Sequence, residues 1–508
     1  MNQQSIKKNT LANYIGQGYF LIITVAITPL YLQYLSADAY GLIGFFSLMQ
    51  AWLSLLDFGL TPTLGRQVAH ARSQENNIYH FKKLLKSFEI IFLGISLTTI
   101  FIVLLSSDWI STNWLNSEQL KHKDIAYCIN LMGIMIGLRW FTSLYRSGIN
   151  GLEDQVWQNI TGIIINSLKF IGALLLLMFV SSDVTHFFEF QLSIGVLELL
   201  ILTSRFYSQL PSPVNTPGWI SFHWDTVKEV TPYAMSITYT AGLWIFLTQI
   251  DKLILSNVLS LKEFGYFNLA MVVSGSINLL TTPITQAIQP RLTYLLSSGK
   301  EQEMLQLYRN ATQLVTMIST SLAFMMALFS EQLIYAWTGN KDAAQWSKDI
   351  LFWFALGNGI LAILAFQAHL QVAYGKLRLH VIGTTLSSVI DIPIVIYSTI
   401  TYGALGAGIT WFILRTVWLV IWTPVVHQQF TPGLHKKWFF NDVLTVFITV
   451  GIIVSITHHL IHVDLSESRI FIFSTLIAAG ITVLLLSAFT VSLVRSTIVS
   501  RLKSAQIL

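Results

Sequence analysis

Apolar runs of about twenty residues, separated by short polar breaks, follow one another along the whole 508-residue chain. A run of roughly 20 apolar residues is long enough to cross a bilayer as a helix. The pattern predicts fourteen such spans. The first half gives Ala12–Leu35, Gly41–Pro62, Phe88–Leu105, Ile125–Tyr145, Val156–Val180 and Phe187–Thr203. Pro232–Leu253, Gly265–Pro290, Leu314–Ile334, Leu351–Ala373, His380–Thr401 and Ala407–Pro424 follow, then Val443–Leu460 and Ile470–Val494. Short loops between them predict antiparallel neighbours, and the fold class is all-α and polytopic.

Composition agrees with a chain that lives in lipid. Hydrophobic residues make up 53%, charged residues only 11%, and the mean hydropathy is +0.61. A soluble domain carries about 25% charged residues, which excludes a soluble enzyme with a single anchor. Cys128 is the only cysteine, so no internal disulfide can form. Met1 to Thr10 is polar, with Lys7 and Lys8, and the apolar run after it is too long for a signal-peptide core.

Lys and Arg placement sets the expected orientation. With the N-terminus inside, cytoplasmic segments hold 20 of the 30 basic residues and outer segments hold 7. Arg139, Lys169 and Arg415 remain inside spans. Both termini are therefore expected in the cytoplasm. The net charge of +5 is this topology signal and calls for no nucleic-acid partner.

A weak repeat is also present. Leu35–Leu42 resembles Leu259–Tyr266 at an offset of 224 residues, although a chance likeness of two loops would look the same. Read as a repeat, it predicts two parallel six-helix halves around a central cavity, a common transporter plan. The expected divisions are 1–203, a linker at 204–231 with Pro211, Pro213 and Pro217, then 232–424, with two additional helices and a tail at 425–508.

Three stretches carry a family resemblance. Tyr40-Gly41 followed by Leu56-Asp57-Phe58-Gly59-Leu60 and Arg66 looks like the second-span signature of polysaccharide repeat-unit flippases. Asp251-Lys252-Leu253-Ile254-Leu255-Ser256, running into Phe264-Gly265-Tyr266-Phe267, resembles the start of their second half, and Tyr402–Ala407 is similar to the turn before their twelfth span. The chain thus resembles the O-antigen and capsule branch of the multidrug/oligosaccharidyl-lipid/polysaccharide exporter superfamily. The resemblance implies a transporter rather than an enzyme. Its cargo would be an undecaprenyl-diphosphate-linked oligosaccharide, turned over from the cytoplasmic to the periplasmic leaflet by alternating access. A polysaccharide polymerase and a chain-length regulator would be working partners. No cofactor is implied, and the energy source stays open between a proton gradient, a sodium gradient and the membrane potential. Related peptidoglycan-precursor flippases carry an arginine in their first span, whereas Gly16 to Tyr31 here contains no basic residue.

Charge inside a membrane is costly and is usually paired or functional. Arg139, Lys169 and Arg415 are the candidate cations for a diphosphate, because a guanidinium fork matches phosphate oxygens. For Arg139 the alternative is snorkelling to the inner interface. Arg66 and Arg291, at corresponding inner ends, are expected either to steer an anionic headgroup or to anchor the helices. Glu198, Asp391, Asp57 and His369 are the candidates for ion coupling or buried pairing, with Lys169–Glu198 and Asp391–Arg415 as the expected ion pairs. No metal site is expected: His458, His459 and His462 end a span without acidic support. Trp109, Trp114, Trp219, Trp337 and Trp438 are expected in interfacial belts. Two rival readings are a multidrug cation antiporter of the same superfamily and a membrane glycan polymerase or ligase. The latter is disfavoured by a longest outer loop of only Ser106–Asp124.

Overall fold

The computed structural model describes residues 3–73, 78–210 and 221–492. The linker prolines, Trp219, the tail after residue 492 and the extreme N-terminus lie outside the described residues. The expected cytoplasmic placement of both termini therefore falls outside them as well.

Apart from one isolated bridge between Asn116 and Ser260, the described residues build helices and their connections. Helices α1 (Gln3–Tyr34), α2 (Ala37–Leu53), α3 (Leu60–Ser73), α4 (Ile78–Trp109) and α5 (His122–Gly151) come first. They are followed by α6 (Gln155–Ser167), α7 (Ala173–Phe179), α8 (Val184–Gln209), α9 (Trp224–Val258) and α10 (Leu261–Ser297). The remainder are α11 (Glu301–Leu328), α12 (Ser330–Thr338), α13 (Lys341–Leu364), α14 (Phe366–Ala373), α15 (Arg378–Phe430), α16 (Leu434–Lys437), α17 (Thr445–Leu460) and α18 (Arg469–Ala488).

Twelve helical segments among the described residues are long and apolar enough to cross a bilayer. One of them, α15, has 53 residues, about 80 Å at helical rise and far more than a bilayer core of about 30 Å. It bends at Gly403, where φ is 61° and ψ is −148°, a conformation that glycine adopts at little cost. Helix α9, expected as the seventh span, is not among the twelve and carries Asp225, Lys228, Glu229, Asp251 and Lys252 toward its ends. A count of fourteen requires the two arms of α15 to be separate passages and α9 to be a further, more polar one.

The chain packs as two compact units, Met1–Gly265 and Tyr266–Leu508. In the first, Leu64, Phe88, Phe92, Leu144 and Phe206 form the centre of a core shared by α3, α4, α5 and α8. Helix α9, placed by sequence at the start of the second half, packs in this unit against α2, α3 and α4. The predicted second span is not continuous. After α2 the chain makes a short 3₁₀ turn, Ser54–Asp57, then turns through Phe58 (φ 47°) and Gly59 (φ 68°) before α3 begins. A β-carbon on Gly59 would lie 2.3 Å from the Ala234 carbonyl oxygen of α9, so the motif glycine serves both a left-handed turn and a close helix approach.

The repeated stretch is a helix N-cap used twice. Ser36 accepts a hydrogen bond from the Ala39 amide at 3.1 Å and starts α2. Ser260 accepts from the Glu263 amide at 3.2 Å, and Glu263 accepts from the Ser260 amide at 3.1 Å, a reciprocal capping box at the start of α10. The two starts touch: a β-carbon on Gly41 would meet the Leu261 carbonyl, and one on Gly265 would meet the Ala37 carbonyl. The loop after α4 straps this contact. The Leu261 amide donates to Asn116 O at 2.7 Å, Asn116 donates to Asn257 O at 2.9 Å, and Trp114 donates to Ser256 Oγ at 3.0 Å. Buried Asp38 receives the Ser117 hydroxyl at 2.6 Å and two loop amides.

In the second unit, small residues let α11 and α13 approach closely, as membrane helices favour; a β-carbon on Gly359 would lie 2.8 Å from that of Ala323. Helix α17 presents Val446, Val450 and Val454, a stripe at four-residue spacing, to a cluster with Met317 of α11 and Val483 of α18. At their base, Asp442 accepts two bonds from Arg309 (2.6 and 3.0 Å) and one from Gln313 (2.6 Å). Trp438, expected at an interface, is fully buried and donates to Thr312 Oγ1 at 3.0 Å.

Candidate functional site

Helix α5 carries Arg139 and Arg146 seven residues apart, two turns along one face. Across from them, α8 presents Gln191, Gly195 and Glu198 at spacings of four and three, a single stripe. Lys169 reaches the same place through a π-helical turn, Leu168–Gly172, that separates α6 from α7. Such turns are frequent at functional sites because they leave carbonyls free and re-aim a side chain. Here the freed carbonyls are taken up locally. The Lys169 carbonyl accepts from Gln191 Nε2 at 2.9 Å and the Phe170 carbonyl from the Tyr31 hydroxyl at 2.9 Å.

Together with Phe20 of α1, Phe46 and Gln50 of α2, and Asn166 of α6, these residues line a cavity of about 420 Å³ inside the first unit. Glu198 is buried, and each carboxylate oxygen holds one cation: Oε1 accepts from Arg146, and Oε2 accepts from Lys169 at 2.5 Å. Arg139 donates to the Gln50 side-chain oxygen. Among the described residues no carboxylate lies within ion-pair distance of Arg139. Three cations therefore face one carboxylate, a net charge of +2 on the cavity wall. Side-chain amides, three phenylalanine rings, Met135, Leu138, Thr142, Ser143 and Gly195 supply the remaining surface. Such a wall can hold an anion with two charges through charge-assisted forks and can offer neutral donors and acceptors beside it.

Of the nine residues singled out from sequence, the structure brings Arg139, Lys169 and Glu198 into this cavity. Arg415 and Asp391 meet each other, as expected, but elsewhere. They lie in the second unit, both buried, with Arg415 donating to Asp391 Oδ2 at 2.7 Å. Trp418 occupies the other carboxylate oxygen at 2.8 Å, and the guanidinium lies 4.6 Å from the Trp411 ring centroid. Asp57 accepts the Thr61 hydroxyl at 2.5 Å next to the helix break. Arg66 stacks over Tyr233 at 4.4 Å, and Arg291 lies 5.1 Å from the Tyr294 ring. His369 pairs with Gln289 through its ring (2.6 Å) and its carbonyl (3.2 Å). No group of three or more metal-ligating residues is found among the described residues.

The sequence pattern places Arg146 in a cytoplasmic segment, beyond a span expected to end at Tyr145. Helix α5 instead runs to Gly151 and carries Arg146 on the Arg139 face. The seven-residue spacing is the available signal. Gln50, Asn166 and Gln191 also escape sequence reasoning, although each is a lone amide in an apolar run. Nothing in the sequence marks the π-helical turn at Lys169.

Two family models match the chain. The one described as polysaccharide biosynthesis protein covers residues 6–296, and the one described as MatE covers residues 239–397. No curated protein sequence matches. Among solved structures, the chain is similar to the lipid II flippase MurJ in an inward-closed conformation: identity is 14%, coverage is 95% of this chain and 98% of that chain, and the TM-score is 0.69. It is also similar to an inward-facing multidrug resistance MATE family transporter of the MOP superfamily, at 12% identity, coverage of 84% and 99%, and a TM-score of 0.63. A MOP superfamily transporter from Pyrococcus furiosus, whose binding pocket is described as having reverse polarity, aligns at 13% identity, coverage of 84% and 96%, and a TM-score of 0.55. At these identities the structures speak for the fold. With more than half of its length matched by the first model, the chain belongs to the polysaccharide biosynthesis protein family and has the helical fold of the multidrug/oligosaccharidyl-lipid/polysaccharide transporters.

Proposed function

We propose that this protein is a flippase for an undecaprenyl-diphosphate-linked oligosaccharide, the repeat unit of an O-antigen or capsule. The observation that carries the reading is the +2 cavity formed by Arg139, Arg146, Lys169 and Glu198. A diphosphate diester bears two ionised phosphates and would neutralise that wall. The amides of Gln50, Asn166 and Gln191 suit the hydroxyls of the first sugar, and the polyprenyl chain would stay in lipid. The protein would sit in the bacterial inner membrane with both termini in the cytoplasm, handing its cargo to a polymerase and a chain-length regulator.

Charge also supplies a driving force. Moving one charge through the membrane field is worth about 2.3 kcal/mol per 100 mV. A doubly negative cargo neutralises the +2 cavity, so the loaded step moves no net charge. The empty cavity then returns inward carrying its two positive charges, and the full cycle gains roughly 4–5 kcal/mol per 100 mV on the same scale. The membrane potential is therefore the energy source we favour over a proton or sodium gradient.

The MatE match over residues 239–397 favours a second reading, a cation antiporter. A cationic drug would meet three positive groups and a single carboxylate already holding two of them. Liposomes containing the purified protein, a labelled lipid-linked sugar and a lipophilic cationic dye decide between the two. Movement of the sugar lipid supports the flippase; movement of the dye alone overturns it.

A further inference from the structure

Among the described residues Glu198 is the one carboxylate lining the cavity, and its arrangement resembles that of a bound anion. It is buried at the end of the α8 stripe and presents one oxygen to Arg146 and the other to Lys169. Those cations come from different elements, α5 and the π-helical turn, and converge nowhere else among the described residues. Both are less buried than Glu198, and both line the cavity. A phosphate group accepts from a guanidinium and an ammonium through the same pair-of-oxygens geometry as a carboxylate.

We propose that Glu198 is a resident counter-ion that stands in for one phosphate of the cargo while the cavity is empty. This rests on the diphosphate reading above. Cargo binding transfers Arg146 and Lys169 from Glu198 to phosphate, while Arg139, whose partner among the described residues is the neutral Gln50 amide, receives the second phosphate. Release reverses the exchange: the carboxylate recaptures both cations, lowers the energy of the empty cavity and displaces the anion. Glu198 thus weakens cargo binding and speeds turnover. A residue that merely holds helices together would, when removed, weaken both.

The test measures binding of farnesyl-diphosphoryl-N-acetylglucosamine to the purified full-length protein by calorimetry, and flipping of the same probe in liposomes. Glu198→Gln is expected to tighten binding roughly tenfold or more, the scale of one close charge pair, while slowing flipping. Glu189→Gln removes a charge from the same helix outside the cavity lining and is expected to leave the affinity unchanged. An unchanged or weaker affinity for Glu198→Gln, or equal tightening by Glu189→Gln, overturns the proposal. A structure of the unsubstituted protein with the probe bound decides the same question without relying on a variant's folding. Arg146 and Lys169 on phosphate support it; both still on Glu198 overturns it. Arg139→Ala separates the two claims. If it fails to weaken probe binding, the diphosphate cavity itself is wrong; if it weakens binding while Glu198→Gln does not tighten it, only the counter-ion role falls.

Discussion

Gly41 of α2 lies so close to Leu261 of α10 that a β-carbon there would come within 1.9 Å of the Leu261 carbonyl oxygen. Backbone cannot yield as a side chain can, so Gly41→Ala should separate the two helix starts and release the Leu261–Asn116 bond. Cysteine placed at Ser260 is expected to react severalfold faster with a polar maleimide in the Gly41→Ala background. Equal rates would show that the contact does not hold this conformation.

Arg415 and Asp391 form the most enclosed ion pair among the described residues, with both carboxylate oxygens occupied. Removing one partner of a buried pair costs about 3–5 kcal/mol, whereas replacing both with apolar residues is often neutral. Asp391→Asn should therefore lower the unfolding temperature by several degrees, and Asp391→Leu with Arg415→Met should restore much of the loss. An unaltered melting curve for Asp391→Asn would return this pair to the candidates for ion coupling.

Asp442 gathers Arg309 and Gln313 at the foot of α17. Asp442→Ala leaves a guanidinium without its partner and removes three bonds, so α17 and α18 should undock more readily. The check is limited proteolysis in detergent. The expected result is cleavage at least severalfold faster between α16 and α18; an unchanged rate would mean that the valine stripe alone holds these helices.

If the cargo leaves as a dianion, its flipping should accelerate when the inside of a liposome loaded from that side is made negative and slow when the potential is reversed. Potassium gradients with valinomycin set the sign. A rate indifferent to potential but responsive to a proton or sodium gradient would replace the driving force proposed above.

Much of the architecture is legible because lipid imposes one rule, a long apolar helix, that composition displays directly. The Gly403 bend coincides with the turn expected at Tyr402–Ala407, since glycine advertises left-handed backbone. The break at Ser54–Gly59 is less visible. Leucine and phenylalanine continue the apolar pattern through it, and only Ser54, Asp57 and Gly59 interrupt it. At the site, Arg139, Lys169 and Glu198 stand out as intramembrane charges, but sequence depth alone pairs one acid with one base. Arg146 is hidden at the expected end of a span, where arginine is ordinary. Its role depends on α5 running on for another turn and on the π-helical turn aiming Lys169 at the same carboxylate, a long-range coincidence that local patterns do not encode.

The most direct test of the central claim is flipping of labelled undecaprenyl-diphosphate oligosaccharide in liposomes, comparing the unsubstituted protein with Arg139→Ala and Arg146→Ala. Clear flipping by the unsubstituted protein and at least a tenfold loss in each variant are expected, the scale of one charge-assisted contact to phosphate. Flipping that survives both substitutions undiminished would contradict a cargo held by this cationic cavity.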